Sequence, residues 1–409
     1  MDCVQPIPPT NSLKKNSSSN FSSSVPAIKK DDNHHSKGVP LSVSSLRSAL
    51  YKEYEREVPF VLKLQSYRNK YLDKYFGFAS YLGEEEFYIL SMPMTFWFLS
   101  RMLAAELCIM LAMSIATGNI LKNTFLLPRP PYPAVWTNTS PQMDHGMPST
   151  HTSSSLSLQF YYFLFFYHIL PVQNPFIPYP VALILVVTSI VSVMVSRVYN
   201  GHHTPMDVAG GFIIGSLTIA IFTFYRHVYV GLLLNGSWAV PMCGFLLCCI
   251  VLLLHPQPKV PSPAYPESGL VTGTAFGAFF ATWINSNTRV PQFFQEYAGS
   301  QYGFLKDHLY ILALVRLVFC VVVVLIAKTL SKKLYYIVYS SVASTPKKKA
   351  IVTPTVEAFG KLFTYTCVGA TVILMPALLL SCNIQTPFEW ETYRTELAAY
   401  NQLASATTI

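Results

Sequence analysis

Long apolar blocks, broken by short polar joints, dominate the chain from about residue 86 to residue 382. They fall at approximately 86–101, 103–121, 154–171, 179–196, 207–226, 237–254, 268–284, 309–328 and 362–381. Each approaches the ~20 residues with which a helix crosses the hydrocarbon core, and a helix satisfies its own backbone polar groups without water. The pattern predicts an all-α, polytopic membrane protein with about 8–9 transmembrane helices around a helical-bundle core. Two blocks carry clustered glycines, Gly210, Gly211 and Gly215 at the start of the first and Gly269, Gly273 and Gly277 at four-residue spacing in the second. Small residues so placed predict close helix–helix approach.

The flanks read differently. Residues 1–58 are rich in Ser and Lys, with no apolar leader segment, and are expected to be disordered. Residues 59–85 interleave aromatic and basic side chains (Phe60, Lys63, Tyr67, Arg68, Lys70, Tyr71), the composition of an interfacial approach segment. This divides the chain into that region and segment, a core over 86–226, additional membrane helices over 227–382 and a tail over 383–409. No whole-chain repeat of the kind many transporters carry is visible.

Composition supports the membrane reading, because 51% of the residues are hydrophobic and only 12% charged, against about a quarter charged in soluble domains. The net charge of +9 sits in tails and joints and not in a folded basic domain, so lipid headgroups or phosphate fit it better than nucleic acid. Most of the eight cysteines lie inside apolar runs and lack zinc-site spacing. They read as small buried hydrophobes, and no metal or other cofactor is expected.

Three polar joints carry chemistry. In the first, Lys122 and Arg129-Pro130 lie seven residues apart, so a helix continuing to about Leu127 would put both cations on one side. A compact ammonium and a planar guanidinium together complement a phosphoryl group. In the second, Pro148-Ser149-Thr150-His151 opens a helix whose N–H groups and Ser149 hydroxyl would face an anion. His151, just inside, is a candidate proton donor. The third runs Ser196-Arg197 to His202-His203-Thr204-Pro205 and Asp207. Thr204 and Pro205 mark a helix start, and Asp207, four residues on, can orient His203 as a nucleophile. Span topology brings all three joints to one membrane face. Each has a plainer reading alone, as an interfacial anchor, a helix cap or an N-terminal acid, but their convergence favours in-line phosphoryl transfer.

At these residues the chain resembles the type 2 phosphatidic acid phosphatase superfamily, whose pattern is K-x6-R-P, then P-S-G-H, then S-R-x5-H-x3-D. Lys122, Arg129, Pro130, Pro148, Ser149, His151, Ser196, Arg197, His203 and Asp207 match, and Thr150 departs where the family often has Gly. Thr150, the Leu-Pro-Arg-Pro run and the four apolar blocks after Asp207 resemble the sphingoid-base-phosphate phosphatase branch. The resemblance implies metal-independent hydrolysis of a long-chain base 1-phosphate. His203 would be the nucleophile, oriented by Asp207, and His151 the acid. Lys122, Arg129, Ser149 and Arg197 would hold the phosphate. Another lipid phosphate, an isoprenoid diphosphate or a non-catalytic lipid transporter would use a similar cradle.

The resemblance also implies an endoplasmic-reticulum membrane with the site facing the lumen, and Asn138-Thr-Ser140 is a glycosylation sequon on that face. Positive-inside counting points the other way. Lys328, Lys332, Lys333, Lys347, Lys348, Lys349 and Lys361 share the site face, against Arg101, Arg226 and Arg289 opposite. Glu106 and Arg316 fall inside apolar blocks, where an ion pair and a substrate contact are equally open readings.

Overall fold

The computed structural model describes residues 41–381 apart from 133, 139–143, 170–176, 259, 289–308 and 343–352. Residues 1–40 of the expected disordered region, the 383–409 tail and the Lys347–Lys349 run lie outside the described residues. The chain divides into two units, Met1–Ser44 and Ser45–Ile409.

The described residues are helical and without strands. In order they form α1 (Leu41–Gln65), α2 (Lys70–Tyr81), α3 (Glu85–Phe98), α4 (Arg101–Phe125) and α5 (Thr150–Leu164), the last continued by a π turn (Phe165–Ile169). There follow α6 (Tyr179–Tyr199), α7 (Pro205–Asn235), α8 (Ala239–Leu253), α9 (Ala264–Asn287), α10 (Leu309–Val342) and α11 (Pro354–Ser381). Every apolar block coincides with a helix. Among the described residues five helices are long and apolar enough to cross a membrane: α4, α6, Pro205–Leu234, Leu314–Val342 and Pro354–Met375. The helices at the other blocks, α3, α5, α8 and α9, are shorter or more polar. In α5 the reason is visible, since Ser153, Ser154, Ser155 and Ser157 are buried against neighbouring helices.

One expectation for the N-terminal side needs correction. Residues 41–58, expected to be disordered, lie in α1, because that helix docks: Tyr54 and Val61 are buried, and the Tyr54 hydroxyl donates to the Arg129 carbonyl at 2.9 Å. Residues 59–85 form the end of α1, a capped α2 and the turn into α3. The Asn69 side chain accepts from the Tyr71 and Leu72 N–H groups and starts α2. At the end of α1 the Gln65 amide donates to the Trp136 and Tyr199 carbonyls at 2.8 and 3.0 Å, while its oxygen accepts from Trp136 N–H at 3.0 Å. Arg68 stacks on the Trp136 ring, 3.2 Å from its centroid, and pairs with Asp73. These contacts tie α1 and α2 to the joint after α4 and to the end of α6.

Burial ranks the membrane helices. In α4 67% of the apolar window is buried, against 17% in α10. α4 is therefore central, while α6, α7 and α10 expose large apolar side chains such as Ile184, Leu185, Phe224 and Leu325, the face a lipid-bathed helix presents. α9 and α11 pack backbone to backbone: a Cβ on Gly269, Gly273 or Gly277 would run into the Ala358, Leu362 or Thr366 carbonyl. α4, α5 and α7 are joined inside the bundle by Glu106, whose carboxylate lies 2.8 Å from Arg226 Nε and accepts from the Tyr161 hydroxyl at 2.8 Å. Glu106 thus belongs to a buried ion pair away from the polar joints, and Arg226 is buried and not a loop anchor. Arg316 is also buried.

The glycines of α7 set its distance from α5. A Cβ on Gly211 would strike the Ser149 carbonyl, and one on Gly215 would lie 2.8 Å from the Ser153 carbonyl. Gly211→Ala must therefore push the start of α5 outward. The expected result is a loss of about 1–3 kcal/mol, the usual range for overpacking, read as a lower thermal midpoint of the detergent-solubilised protein together with weakened turnover. An unchanged melting curve and rate would contradict the packing described.

Candidate active site

The three polar joints meet at one end of the bundle, where α4 and α6 finish and α3, α5 and α7 begin. α4 stops at Phe125, two residues short of the expected Leu127, because Leu126 turns left-handed (φ 54°) while its N–H still bonds the Lys122 carbonyl at 2.9 Å. Arg129 therefore does not share a helix face with Lys122; it comes back along an extended segment. The two cations nevertheless converge. Lys122 Nζ lies 2.7 Å and Arg129 Nη2 3.3 Å from the same oxygen, Oδ2 of Asp144.

Ser149 caps α5, its hydroxyl accepting from Thr152 N–H at 3.4 Å, while its own N–H donates to the Asp207 carbonyl at 2.9 Å. The second and third joints are thereby bonded backbone to backbone. Gly146 makes this approach possible, because a Cβ there would sit 2.9 Å from the Pro128 carbonyl and 3.0 Å from Asp207 Oδ2. Thr150, the departure from the family pattern, is buried against α4, where a Cβ on Gly118 would lie 2.7 Å from its methyl group. A glycine on the neighbouring helix supplies the room that a glycine at 150 would otherwise have left. One residue further on, His151 Nε2 lies 3.2 Å from Glu84 Oε2.

In the third joint, Gly201 adopts φ +72°, which lets the chain reverse so that the N–H groups of His202 and His203 both reach the Arg197 carbonyl, at 3.0 and 3.2 Å. The neighbouring rings then face different partners. His202 Nε2 bonds Asn138 Oδ1 at 2.7 Å. His203 places Nδ1 3.4 Å from Asp207 Oδ2 and Nε2 3.3 Å from Arg129 Nη1, beside the Lys122–Arg129 pair. Asp207 also completes a capping box, accepting from Thr204 N–H at 2.9 Å, so the helix-cap and ring-orienting readings of this residue hold together. Arg197 is wholly buried, and its Nη1 donates to Ser80 Oγ at 2.5 Å and lies 3.4 Å from Glu84 Oε1.

Electrostatics follow from burial and these neighbours. Burial, then the charges of Arg129, Arg197 and Lys122, hold His203 well below the usual histidine range, so its ring is neutral. Burial and Arg197 take His202 down to about 2. Burial alone would raise Glu84, but His151 and Arg197 outweigh it and hold the carboxyl at about 2. Burial would likewise raise Asp144, and Lys122 and Arg129 bring it to about 2. Two buried donors, Arg129 Nε and Arg197 Nε, have no hydrogen-bond partner among the described residues. Buried guanidinium N–H groups left open are uncommon and mark a place for an acceptor.

Lys122, Arg129, Ser149, His151, Arg197, His203 and Asp207 thus lie in one polar cluster. Sequence reasoning missed Glu84, which joins His151 to Arg197, and Asp144, which joins Lys122 to Arg129. Both had a cue: Glu84 opens an acidic triplet just before an apolar block, and Asp144 stands just before the second motif.

A buried nest of guanidinium, ammonium and imidazole thus lies at one end of the helical bundle. The PAP2 superfamily pattern matches residues 103–230, and the chain belongs to that superfamily. Within it the chain groups with sphingoid-base-phosphate phosphatases. It is 42% identical to a probable sphingosine-1-phosphate phosphatase of Dictyostelium discoideum over 86% of this chain and 93% of that protein. It is 28% identical to a dihydrosphingosine 1-phosphate phosphatase of Schizosaccharomyces pombe over 70% of this chain and 69% of that one. Human sphingosine-1-phosphate phosphatase 2 is 27% identical over 75% and 78%. No solved structure matches the chain significantly.

Proposed function

We propose that the protein hydrolyses long-chain sphingoid base 1-phosphates to the free base and inorganic phosphate through a phosphohistidine. The observation that carries this reading is the His203 ring, which is neutral, has one nitrogen on Asp207 and has the other beside the guanidinium of Arg129. Mere binding has no use for an oriented, unprotonated nucleophile. Lys122, Arg129, Ser149 and Arg197 hold the phosphoryl oxygens, and the open Nε donors of the two arginines complete their set when phosphate arrives.

In the first step His203 Nε2 attacks phosphorus while the bond to the ester oxygen breaks, and protonated His151 passes its proton to that oxygen. Asp207 accepts from Nδ1–H and balances the charge gained by the ring. In the second step neutral His151 takes a proton from water, the water oxygen displaces His203 from phosphorus, and phosphate leaves. Glu84 stands behind His151 as the counter-charge of its protonated form, 3.2 Å away.

We place the site on the lumenal side of the endoplasmic-reticulum membrane, the face implied by the resemblance and carrying Asn138, the exposed first residue of the sequon. One assay tests substrate, chemistry and side together. Detergent-solubilised protein should release phosphate from a sphingoid base 1-phosphate faster than from a phosphatidate or an isoprenoid diphosphate, with chelator present. In sealed endoplasmic-reticulum vesicles a membrane-impermeant phosphomonoester should be cleaved only after permeabilisation. Preference for phosphatidate would overturn the substrate, chelator sensitivity the chemistry, and activity in sealed vesicles the side.

A further inference from the structure

The two cations of the first motif are not waiting open for phosphate. Asp144 Oδ2 already lies 2.7 Å from Lys122 Nζ and 3.3 Å from Arg129 Nη2, and its side chain is only 8% exposed. The other oxygen is tied down: Oδ1 accepts from His145 N–H at 2.8 Å and from Ser262 Oγ at 3.2 Å. An anchored carboxylate of this kind is not a loose latch that a ligand pushes aside. It stays at the edge of the cradle when phosphate takes the cations, and it then faces the substrate with its counter-charges shared or lost.

The charge count sharpens the point. Lys122, Arg129, Arg197 and the protonated His151 that the reaction requires face Glu84, Asp144 and Asp207, while His203 is neutral. A phosphomonoester dianion entering such a site brings an excess of negative charge into a buried place, which a cation carried on the same molecule would offset. The Arg129 guanidinium has one terminal nitrogen 3.3 Å from His203 Nε2 and the other 3.3 Å from Asp144 Oδ2, so a single side chain links this carboxylate to the nucleophile.

We propose that Asp144 is the specificity-determining residue for substrates bearing an ammonium group on the carbon next to the phosphate-bearing carbon. Its carboxylate, held in place through Oδ1, receives that ammonium as the phosphate takes over the charges of Lys122 and Arg129. The inference rests on the sphingoid-base reading above and adds the group by which such a substrate is told from an ammonium-free lipid phosphate. Ser262, at the start of α9, takes part by holding the carboxylate in place, which gives a helix beyond the motif-bearing core a part in selectivity.

The test compares kcat/KM of the full-length, detergent-solubilised protein on sphinganine 1-phosphate and on its 2-deamino analogue of equal chain length. The wild type should favour the amino substrate by about tenfold or more, the discrimination one charged hydrogen bond provides. In Asp144→Asn that ratio should collapse, through a loss on the amino substrate and a gain on the analogue, for which the phosphate no longer competes with a carboxylate. An unchanged ratio overturns the proposal, as does a ratio preserved by equal loss on both substrates. Wild-type protein that ignores sphinganine 1-phosphate but cleaves the analogue removes the sphingoid-base reading itself, and this inference with it. Because the variant leaves two buried cations unpaired, a second measurement uses the wild type alone. A non-hydrolysable phosphonate carrying the 2-amino group should inhibit at about tenfold lower concentration than its deaminated twin, and equal inhibition again overturns the proposal.

Discussion

His203→Ala is expected to lower turnover by about 10⁴-fold or more, whereas His202→Ala retains it. The two residues are neighbours in sequence, and both N–H groups use the Arg197 carbonyl, so either substitution disturbs the turn to a similar degree. Their rings differ. His203 lies between Asp207 and Arg129, while His202 points to Asn138 on the joint after α4. In the proposed mechanism, removing the His203 ring takes away the atom that bonds to phosphorus and leaves a cradle that can only bind. The measurement is phosphate release together with capture of radiolabelled phosphoenzyme by rapid denaturation. Label should appear in the wild type and in His202→Ala and be absent from His203→Ala. Label or turnover persisting in His203→Ala would remove this residue from the chemistry.

Glu84→Gln is expected to cost about 10²-fold or more in kcat, the scale of a lost general acid, with a smaller change in KM. Glu84 contacts neither motif cation of the first block. It bridges His151 and Arg197, from the second and third blocks, at 3.2 and 3.4 Å. Its carboxyl, held at about 2 by those partners against the pull of burial, is ionised across the whole working range of pH. A depressed carboxyl stabilises the fold above its ordinary range, and that contribution is lost only as pH falls through about 2. The wild-type pH profile should therefore show no limb from Glu84. In the variant the protonated His151 ring has no counter-charge, so the limb that requires the acid should move to lower pH. Glu84→Asp, which keeps the charge, should recover part of the rate. A rate loss with an unshifted pH profile would reduce Glu84 to a structural partner of Arg197.

Much of this site was legible because its signals are local. His203 and Asp207 are four residues apart across a helix start, so one turn of helix suffices to place the carboxylate by the ring. Pro148-Ser149 and Thr204-Pro205 announce helix starts by their own chemistry. Hydropathy located every helix that follows residue 85. It misjudged α1, whose order comes from partners far along the chain: Tyr54 bonds the backbone of Arg129, and Gln65 bonds that of Trp136 and Tyr199. It also missed where α4 ends, since Leu126 takes a left-handed conformation without a glycine to mark it.

The sequence by itself determined the fold class, the motif residues and the membrane end at which they gather, because these depend on hydrophobic length, helix-start chemistry and short spacings. Only the tertiary structure decided which charge meets which. Asp144 reaches Lys122 across a joint of 22 residues, and Glu84 reaches Arg197 from 113 residues away. Such contacts are set by loop closure and by glycines such as Gly146 and Gly211, which allow backbones to touch. No local pattern encodes that geometry, so the two acids that complete the site emerge only when the helices are assembled.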